Sequence, residues 1–504
     1  MPHPAIICKK YTILVHRWMG VFFCVLFAAW FASGIVMMYW DFPQVLPEDR
    51  WRKSPTLEAS EIRISPAEAY RRLNTAEAPD RVSVYTLLDR RPVYRFAFRG
   101  NVEVVTADTG ERIADVPRET GLRIAAAWTG QDPAGARVDL VRGLDQWTVQ
   151  SNVRRQLPFW KTTFPDGEEV YVSRATGEVA QHTTRGSRIG AYCGAIPHWL
   201  YFSALRRHTF AWRSMVIWLS ALGVLMNLFG LVVGVWMYSP AKKYRLRSGA
   251  SSIPYDGQKH WHTLLGLVFG LFAFTWVLSG MFSMNPLAWS PGSAPDSPAK
   301  ALRGPKWNSD AFPAASPAQA LQQLPPEFKV KELRLTFAGG QPAYLAVEDL
   351  GRSRLIPAAA TGELPSESID PEKMRRLMAI ASRPHAIVES RLVTAYEPYY
   401  IDRHHRKPLP ALFVRLNDAE QSIYYIDLKT GQVVESYDAR SRAERWLYHG
   451  LHSLDLPWLY RNRPAWDVTV LTLMLGGTAL CVTSVVIGYR RARRKVRGLI
   501  RRQW

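Results

Sequence analysis

Cysteine is scarce in this chain. Only Cys8, Cys24, Cys193 and Cys481 occur among 504 residues, and no CxxC pair is present. Neither a disulfide framework nor a thiol redox motif is therefore built in. Acidic residues are short as well: 43 Asp and Glu stand against 64 Lys and Arg, for a formal net charge of +21. A glycine-rich dinucleotide fingerprint, a P-loop, a GxSxG elbow and an HExxH zinc pair are all missing. A nicotinamide or flavin domain is thus not part of the chain. Charge is also nearly absent from four long stretches, and these organise everything else.

The four stretches are 11–40, 212–238, 261–285 and 468–489. Each supplies about 20 or more largely uncharged residues, enough for a tilted helix to cross the hydrocarbon core. The first is too long for a signal-peptide core. It ends in Met37-Met38-Tyr39-Trp40, which is no small-residue cleavage site, so it reads as a retained helix. The basic excess flanks these stretches. Lys9, Lys10 and Arg17 stand at the first, and Lys242, Lys243, Arg245, Arg247 and Lys259 lie between the second and third. Arg490, Arg491, Arg493, Arg494, Lys495, Arg497, Arg501 and Arg502 follow the fourth. That distribution answers a membrane, not a nucleic acid. The positive-inside rule places both termini and the short loop in the cytoplasm. Two long polar segments are then expected outside, in the periplasm if the cell is Gram-negative, with the bacterial inner membrane as the expected location.

Ungapped superposition of His16 on His262 brings Gly20 onto Gly266, Trp30 onto Trp276 and Ser33-Gly34 onto Ser279-Gly280. The similarity continues beyond the helices. Ser65-Pro66 and Ser316-Pro317 each open an alanine-rich run, the mark of an N-cap with proline in the first turn. Strand-like "RPVYRFAFRG" and "QPAYLAVEDL" follow, then Thr109-Gly110-Glu111 and Thr361-Gly362-Glu363. A second Thr-Gly turn comes in "VYVSRATGEV" and "IYYIDLKTGQV", at Thr176-Gly177 and Thr430-Gly431. These are hairpin signals with glycine at the left-handed position. The interval from Thr176 to His198 equals that from Thr430 to His452. The interval from His198 to Trp212 equals that from His452 to Trp466. The expected fold is an α+β membrane protein. It is a four-transmembrane-helix bundle from a tandem duplication, with two extracytoplasmic α+β domains, each holding two helix-plus-hairpin units.

"VHRWMG", "SGIVMMYW", "YYIDLKTGQV" and "LYHGLHSLDLPW" together resemble the PepSY-associated transmembrane helix family. That family includes iron-regulated membrane proteins and b-type di-haem siderophore reductases. The resemblance implies PepSY-like outer domains, two haem b groups, and reduction of a periplasmic acceptor such as ferric siderophore iron. It implies the partition 1–40 (N-terminus and first helix), 41–195 (first outer domain), 196–240 (outer interfacial segment and second helix) and 241–259 (cytoplasmic loop). Then come 260–286 (third helix), 287–445 (second outer domain), 446–490 (interfacial segment and fourth helix) and 491–504 (basic cytoplasmic tail).

In this topology His16 and His262 lie at the cytoplasmic ends of outbound helices. His198 and His452 lie on the outer side, before inbound helices. Two pairs related by a pseudo-twofold axis result, one per membrane face, and haem b iron takes two axial imidazoles from opposite sides of a flat ring. Each histidine alone is equally readable as an interfacial anchor. His260 and the His449/His452 spacing raise a metal site as a further reading, but without the carboxylate or cysteine of a zinc pattern. His260, His449, Arg17 and Trp199 are expected as supporting neighbours. A continuous helix from His198 to Trp212 would lift the histidine about 21 Å. A bent amphipathic segment that dips into the outer leaflet is therefore expected.

Tyr399, Tyr400, Arg403 and His404 fall in the cation- and aromatic-rich "YEPYYIDRHHRKPLPALFVRL" and are candidate contacts for an anionic ferric chelate. A solvated basic loop is the alternative there. Electrons would come from a membrane quinol or a cytoplasmic donor, with lipid as the other partner. The rival to electron transfer is a non-enzymatic PepSY protein that binds a peptidase or another periplasmic partner. The topology has a direct check. Alkaline phosphatase fused within 98–101 should be active in the bacterium and fused within 249–252 inactive, and a cytoplasmic reporter should show the reverse pattern.

Overall fold

The computed structural model describes residues 4–246, 249–286, 295–307, 316–338, 340–358 and 364–500. The turn expected at Thr361-Gly362-Glu363 lies outside the described residues. The chain divides into two compact units. One comprises 1–42, 187–290 and 443–504, and the other 43–186 and 291–442.

The first unit holds four helices long and apolar enough to span a membrane: Pro4–Met37, Thr209–Met237, Gln258–Phe282 and Arg463–Ile500. The first helix packs on the second and fourth, and the third packs on the same two. The first and third thus face each other across the middle of a ring of four. Phe23, Phe27, Phe31, Met226, Trp276, Val277, Val470 and Met474 fill the interior. Glycine permits close approaches: Gly223 faces the Phe27 ring, Gly476 the Phe269 ring and Gly477 the Phe31 ring. Before the second helix come three short helices, Arg185–Cys193, Ala195–Trp199 and Ser203–Arg206. Before the fourth comes a π-helical turn, Trp446–Gly450, and the short helix Pro457–Tyr460.

The second unit is built on antiparallel sheet. The first segment contributes β1 (Arg81–Thr86), β2 (Pro92–Ala97), β3 (Val102–Thr106), β4 (Arg137–Val141), β5 (Phe159–Thr163), β6 (Glu169–Ser173) and β7 (Val179–Thr183). In the membrane unit, β8 (Tyr244–Leu246) and β9 (Gly249–Ser251) make a hairpin between the second and third helices. The later segment contributes β10 (Glu332–Ala338), β11 (Gln341–Val347), β12 (Ser353–Pro357), β13 (Ile387–Val393), β14 (Ala411–Leu416), β15 (Ile423–Asp427) and β16 (Val433–Tyr437). Each segment folds as two helix-plus-sheet pieces. The expected N-caps are present: Ser65 accepts from the Glu68 amide, and Ser316 accepts from that of Gln319. Gly110, Gly177 and Gly431 take positive φ at the expected turns.

The two polar segments do not stand apart as two separate domains. β1 and β10 pair antiparallel, Val82 with Leu335 and Val84 with Leu333, giving one six-stranded sheet ordered β12-β11-β10-β1-β2-β3. Separately, each three-stranded piece would leave β1 or β10 as an unpaired edge. Joined, they bury Val82, Val84, Tyr94, Phe96, Leu333, Leu335, Tyr344 and Ile356 in one core. The sheets β4-β5-β6-β7 and β13-β14-β15-β16 stay separate.

A polar lock also ties the segments. Trp51, on the helix Pro47–Lys53, donates its indole N–H to Glu332 Oε2 at 2.8 Å, and Arg334 pairs with the same carboxylate at 2.9 Å. Burial pushes the Glu332 carboxyl up, but Arg334, the Trp51 indole and Arg95 outweigh it and bring it down to about 2. A folded value below the ordinary 4.5 stabilises the fold above that pH and loses the contribution as pH falls toward 2. The loss is worth up to about 3 kcal/mol. The urea midpoint of the full-length protein should drop over that window. Glu332→Gln should start lower at neutral pH and drop less.

Candidate functional site

The four matched histidines come together as two pairs within the membrane unit. His16 on the first helix and His262 on the third have ring centroids 6.2 Å apart at 32°. His198 and His452, just before the second and fourth helices, have ring centroids 6.2 Å apart at 65°.

Each imidazole is held through Nδ1 by a neighbouring element. His16 donates to the Met226 carbonyl at 3.0 Å. His198 Nδ1 lies 3.1 Å from the Trp30 carbonyl and 3.2 Å from Ser33 Oγ. His452 Nδ1 stands in the same relation to Trp276 (3.2 Å) and Ser279 (3.0 Å). His262 Nδ1 meets Thr483 Oγ1 at 3.3 Å and Ser484 Oγ at 3.2 Å. Every one of these hydroxyls already gives its proton to a backbone carbonyl. The hydroxyl oxygens are therefore free to accept, and Nδ1–H is the donor throughout. Nε2 is then the unprotonated nitrogen of all four rings. Among the described residues no hydrogen bond reaches any of the four Nε2 atoms.

The bent segments before the second and fourth helices are shaped by residues whose roles periodicity does not show. Trp212 donates its indole N–H to the Trp199 carbonyl at 2.9 Å, and Trp466 donates to the Ser453 carbonyl at 3.0 Å. Each tryptophan ties down the residue that follows a histidine, which explains the equal intervals in the sequence. Leu200 and Leu454, two residues past each histidine, take left-handed backbone at φ 52° and 50°. Such conformations cost of order 1 kcal/mol or more for a branched residue and collect where function over-determines them. The chain turns sharply there, so His198 and His452 reach Ser33 and Ser279 inside the helix bundle. Both segments are bent, as expected.

Small residues make the space. A Cβ on Gly34 would sit 3.4 Å from His198 Cε1, and one on Gly280 would sit 3.5 Å from His452 Cε1. Gly230, unmarked in the sequence, lies against the His16 ring: a Cβ there would meet Cε1 at 2.7 Å. Gly20 faces open space, and Gly266 meets only Leu480 at 3.9 Å. Trp30 Nε1 and Trp276 Nε1 are buried without a hydrogen-bond partner, at matching positions of the first and third helices. Each such orphan costs about 1–3 kcal/mol unless something accepts from it.

The PepSY-associated TM region family matches residues 13–350, a stretch that includes three of the membrane helices and His16, His198 and His262. The chain belongs to this family. No curated protein matches it. Family membership and the four spanning helices together make it a multi-pass membrane protein.

The remaining expected residues scatter. His260 turns its Nδ1 to the Tyr255 carbonyl at 3.2 Å and packs on Trp261, away from the inner pair. Arg17 is exposed. His449 is half exposed, 3.9 Å from Asp455, while its neighbour Tyr448 packs on the His452 ring at 5.5 Å. Trp199 contributes its carbonyl and stacks on Tyr201. In the second unit, Tyr400 is fully buried, bonded to the Pro408 carbonyl and stacked on Tyr425 at 4.7 Å. It is a core residue and presents no surface to a substrate. Tyr399 packs on Tyr437. Arg403 and His404 are exposed in a turn. Asp402 organises that turn by accepting from the amides of His404, Arg406 and Lys407.

Gly230→Ala should displace the His16 ring and destabilise the protein by about 1–3 kcal/mol. Gly20→Ala meets nothing and should hold stability or raise it by about 0.5–1 kcal/mol. Thermal unfolding of the two variants in detergent, side by side, reads the difference.

Proposed function

We propose that this protein is an electron-transfer protein of the bacterial inner membrane. It would carry two haem b groups and pass electrons outward to a periplasmic acceptor, ferric siderophore iron. His16 with His262, and His198 with His452, would be the axial ligands.

The observation that carries this reading is the spacing of the rings. An imidazole nitrogen binds a first-row metal at about 2.0–2.1 Å. A five-membered ring with bonds of about 1.33 Å has its centre roughly 1.1 Å behind each atom. Two imidazoles on opposite sides of one iron therefore have centroids about 6.3 Å apart. Both pairs here stand at 6.2 Å. The donor set points the same way. Among the described residues no three His, Cys, Asp or Glu side chains converge on a point, whereas a closed zinc site needs four ligands. Two imidazoles suit an iron whose other ligands come with a macrocycle. Nδ1 tethering leaves Nε2 as the coordinating atom, in keeping with histidine ligands that donate their other nitrogen to a fixed acceptor. The orphaned indoles of Trp30 and Trp276 are further unspent donors in the same bundle.

Bound there, haem supplies reversible one-electron transfer without side-chain proton chemistry. The chain's part is to orient the rings and exclude water. Electrons would enter from a quinol or a cytoplasmic donor. Reduction of Fe(III) to Fe(II) in a hard-oxygen chelate weakens the chelation and frees the metal. The exposed Arg403 and His404, with Tyr399 nearby, remain candidate contacts for an anionic chelate. The matched helices and histidines support descent of the two halves from one duplicated ancestor.

Protein purified from haem-replete cells should be red, with a dithionite-reduced minus oxidised spectrum typical of b-type haem. His16→Ala and His198→Ala should each remove about one haem equivalent by pyridine haemochrome. Colourless wild-type protein would overturn the reading and favour a PepSY membrane protein that binds a periplasmic partner.

A further inference from the structure

The second unit contains a cavity of about 180 Å³ where the helix Pro47–Lys53 meets β1, β2 and β10. Its walls carry five cations and two carboxylates. Both carboxylates are committed. Glu178 is shared by Arg50 at 3.5 Å, Arg95 at 3.3 Å and the Tyr85 hydroxyl at 2.8 Å. Glu332 is held by Arg334 and the Trp51 indole.

Two cations are left over. Arg81 makes no ion pair among the described residues. Lys331 bonds only neutral acceptors, the Ser54 carbonyl at 2.9 Å and Thr56 Oγ1 at 3.5 Å. Burial, then Arg334, Arg95 and Arg303, hold the Arg81 guanidinium below its ordinary range against Glu332. Burial likewise lowers Lys331, only partly offset by Glu348. Both shifts mark positive charge that the surrounding protein does not neutralise. Arg50 Nε and Arg334 Nε are in addition buried with no acceptor. Donors without acceptors and cations without anions, around one cavity, describe a site that is complete only with an anion in it.

The rest of the wall is aromatic and apolar. Trp51, Tyr85, Trp128 and Leu87 line it, and Arg334 lies over the Trp51 ring at 5.2 Å. The cavity is smaller than a drug-sized site of about 300 Å³ or more. We propose that it binds a small organic anion, a carboxylate carried on a planar ring, with the acid against Arg81 and Lys331 and the ring among the aromatics. This site is separate from the histidine pairs and does not rest on the haem reading.

Isothermal titration of the full-length protein in nanodiscs tests it, with sodium benzoate, sodium phosphate and benzylammonium as probes. Benzoate should bind saturably with a Kd of about 0.1–1 mM. Phosphate should bind at least tenfold more weakly, and benzylammonium should not bind. Arg81→Gln and Lys331→Gln should each weaken benzoate tenfold or more with an unchanged unfolding temperature, while His16→Ala binds it as the wild type does. Absence of saturable benzoate binding would overturn the proposal. So would phosphate or benzylammonium binding as tightly as benzoate, or wild-type affinity in both charge variants.

Discussion

Four ring nitrogens in an apolar bundle each need an acceptor, and the membrane unit is arranged around supplying them. An unsatisfied imidazole N–H among apolar side chains costs several times what it contributes when bonded. Here each Nδ1 finds its acceptor on another stretch of the unit, so the bond also fixes where that stretch lies. His198 pins its segment to the first helix through the Trp30 carbonyl and Ser33, and His452 pins its own to the third through Trp276 and Ser279. His16 and His262 reach the second and fourth helices in the same way. The arrangement spends Nδ1 on structure and leaves Nε2 without a hydrogen bond among the described residues.

His198 and His452 need more support than His16 and His262. His16 and His262 ride on continuous helices, where position along the axis settles depth. His198 and His452 sit on short pieces that must enter the bundle and turn back. Left-handed Leu200 and Leu454 make the turns. The indoles of Trp212 and Trp466 hold the carbonyls of Trp199 and Ser453, so the second and fourth helices each anchor the histidine segment that precedes them. Local strain is thereby offset by a hydrogen bond from the first turn of a long helix.

The second unit follows a different logic. Its scaffold is sheet, and the pairing of β1 with β10 makes one core from two distant stretches of chain. Charge is managed locally. Arg406 pairs with Glu48 and Lys407 with Glu435, so the basic loop around His404 is largely neutralised. Among the cations lining the cavity, Arg81 and Lys331 are the two without an ion pair among the described residues.

The sequence by itself determined the membrane spans, because a run of apolar residues of bilayer length has no other economical fold in a cell. It also determined the N-caps at Ser65 and Ser316, the left-handed glycines of the Thr-Gly turns, and the four histidines with their equal intervals. These are local or periodic properties, written in residues near one another. Tertiary structure alone decided which elements met. That His16 faces His262 and His198 faces His452 follows from how four helices close into a ring. That Tyr400 is core while Arg403 is exposed follows from the stacking of Tyr400 on Tyr425. The need for glycine at 230 comes from the His16 ring, which a Cβ there would meet at 2.7 Å. The joining of the two polar segments into one sheet, and the cation-lined cavity beside it, rest on contacts between residues hundreds of positions apart. No local propensity encodes such contacts.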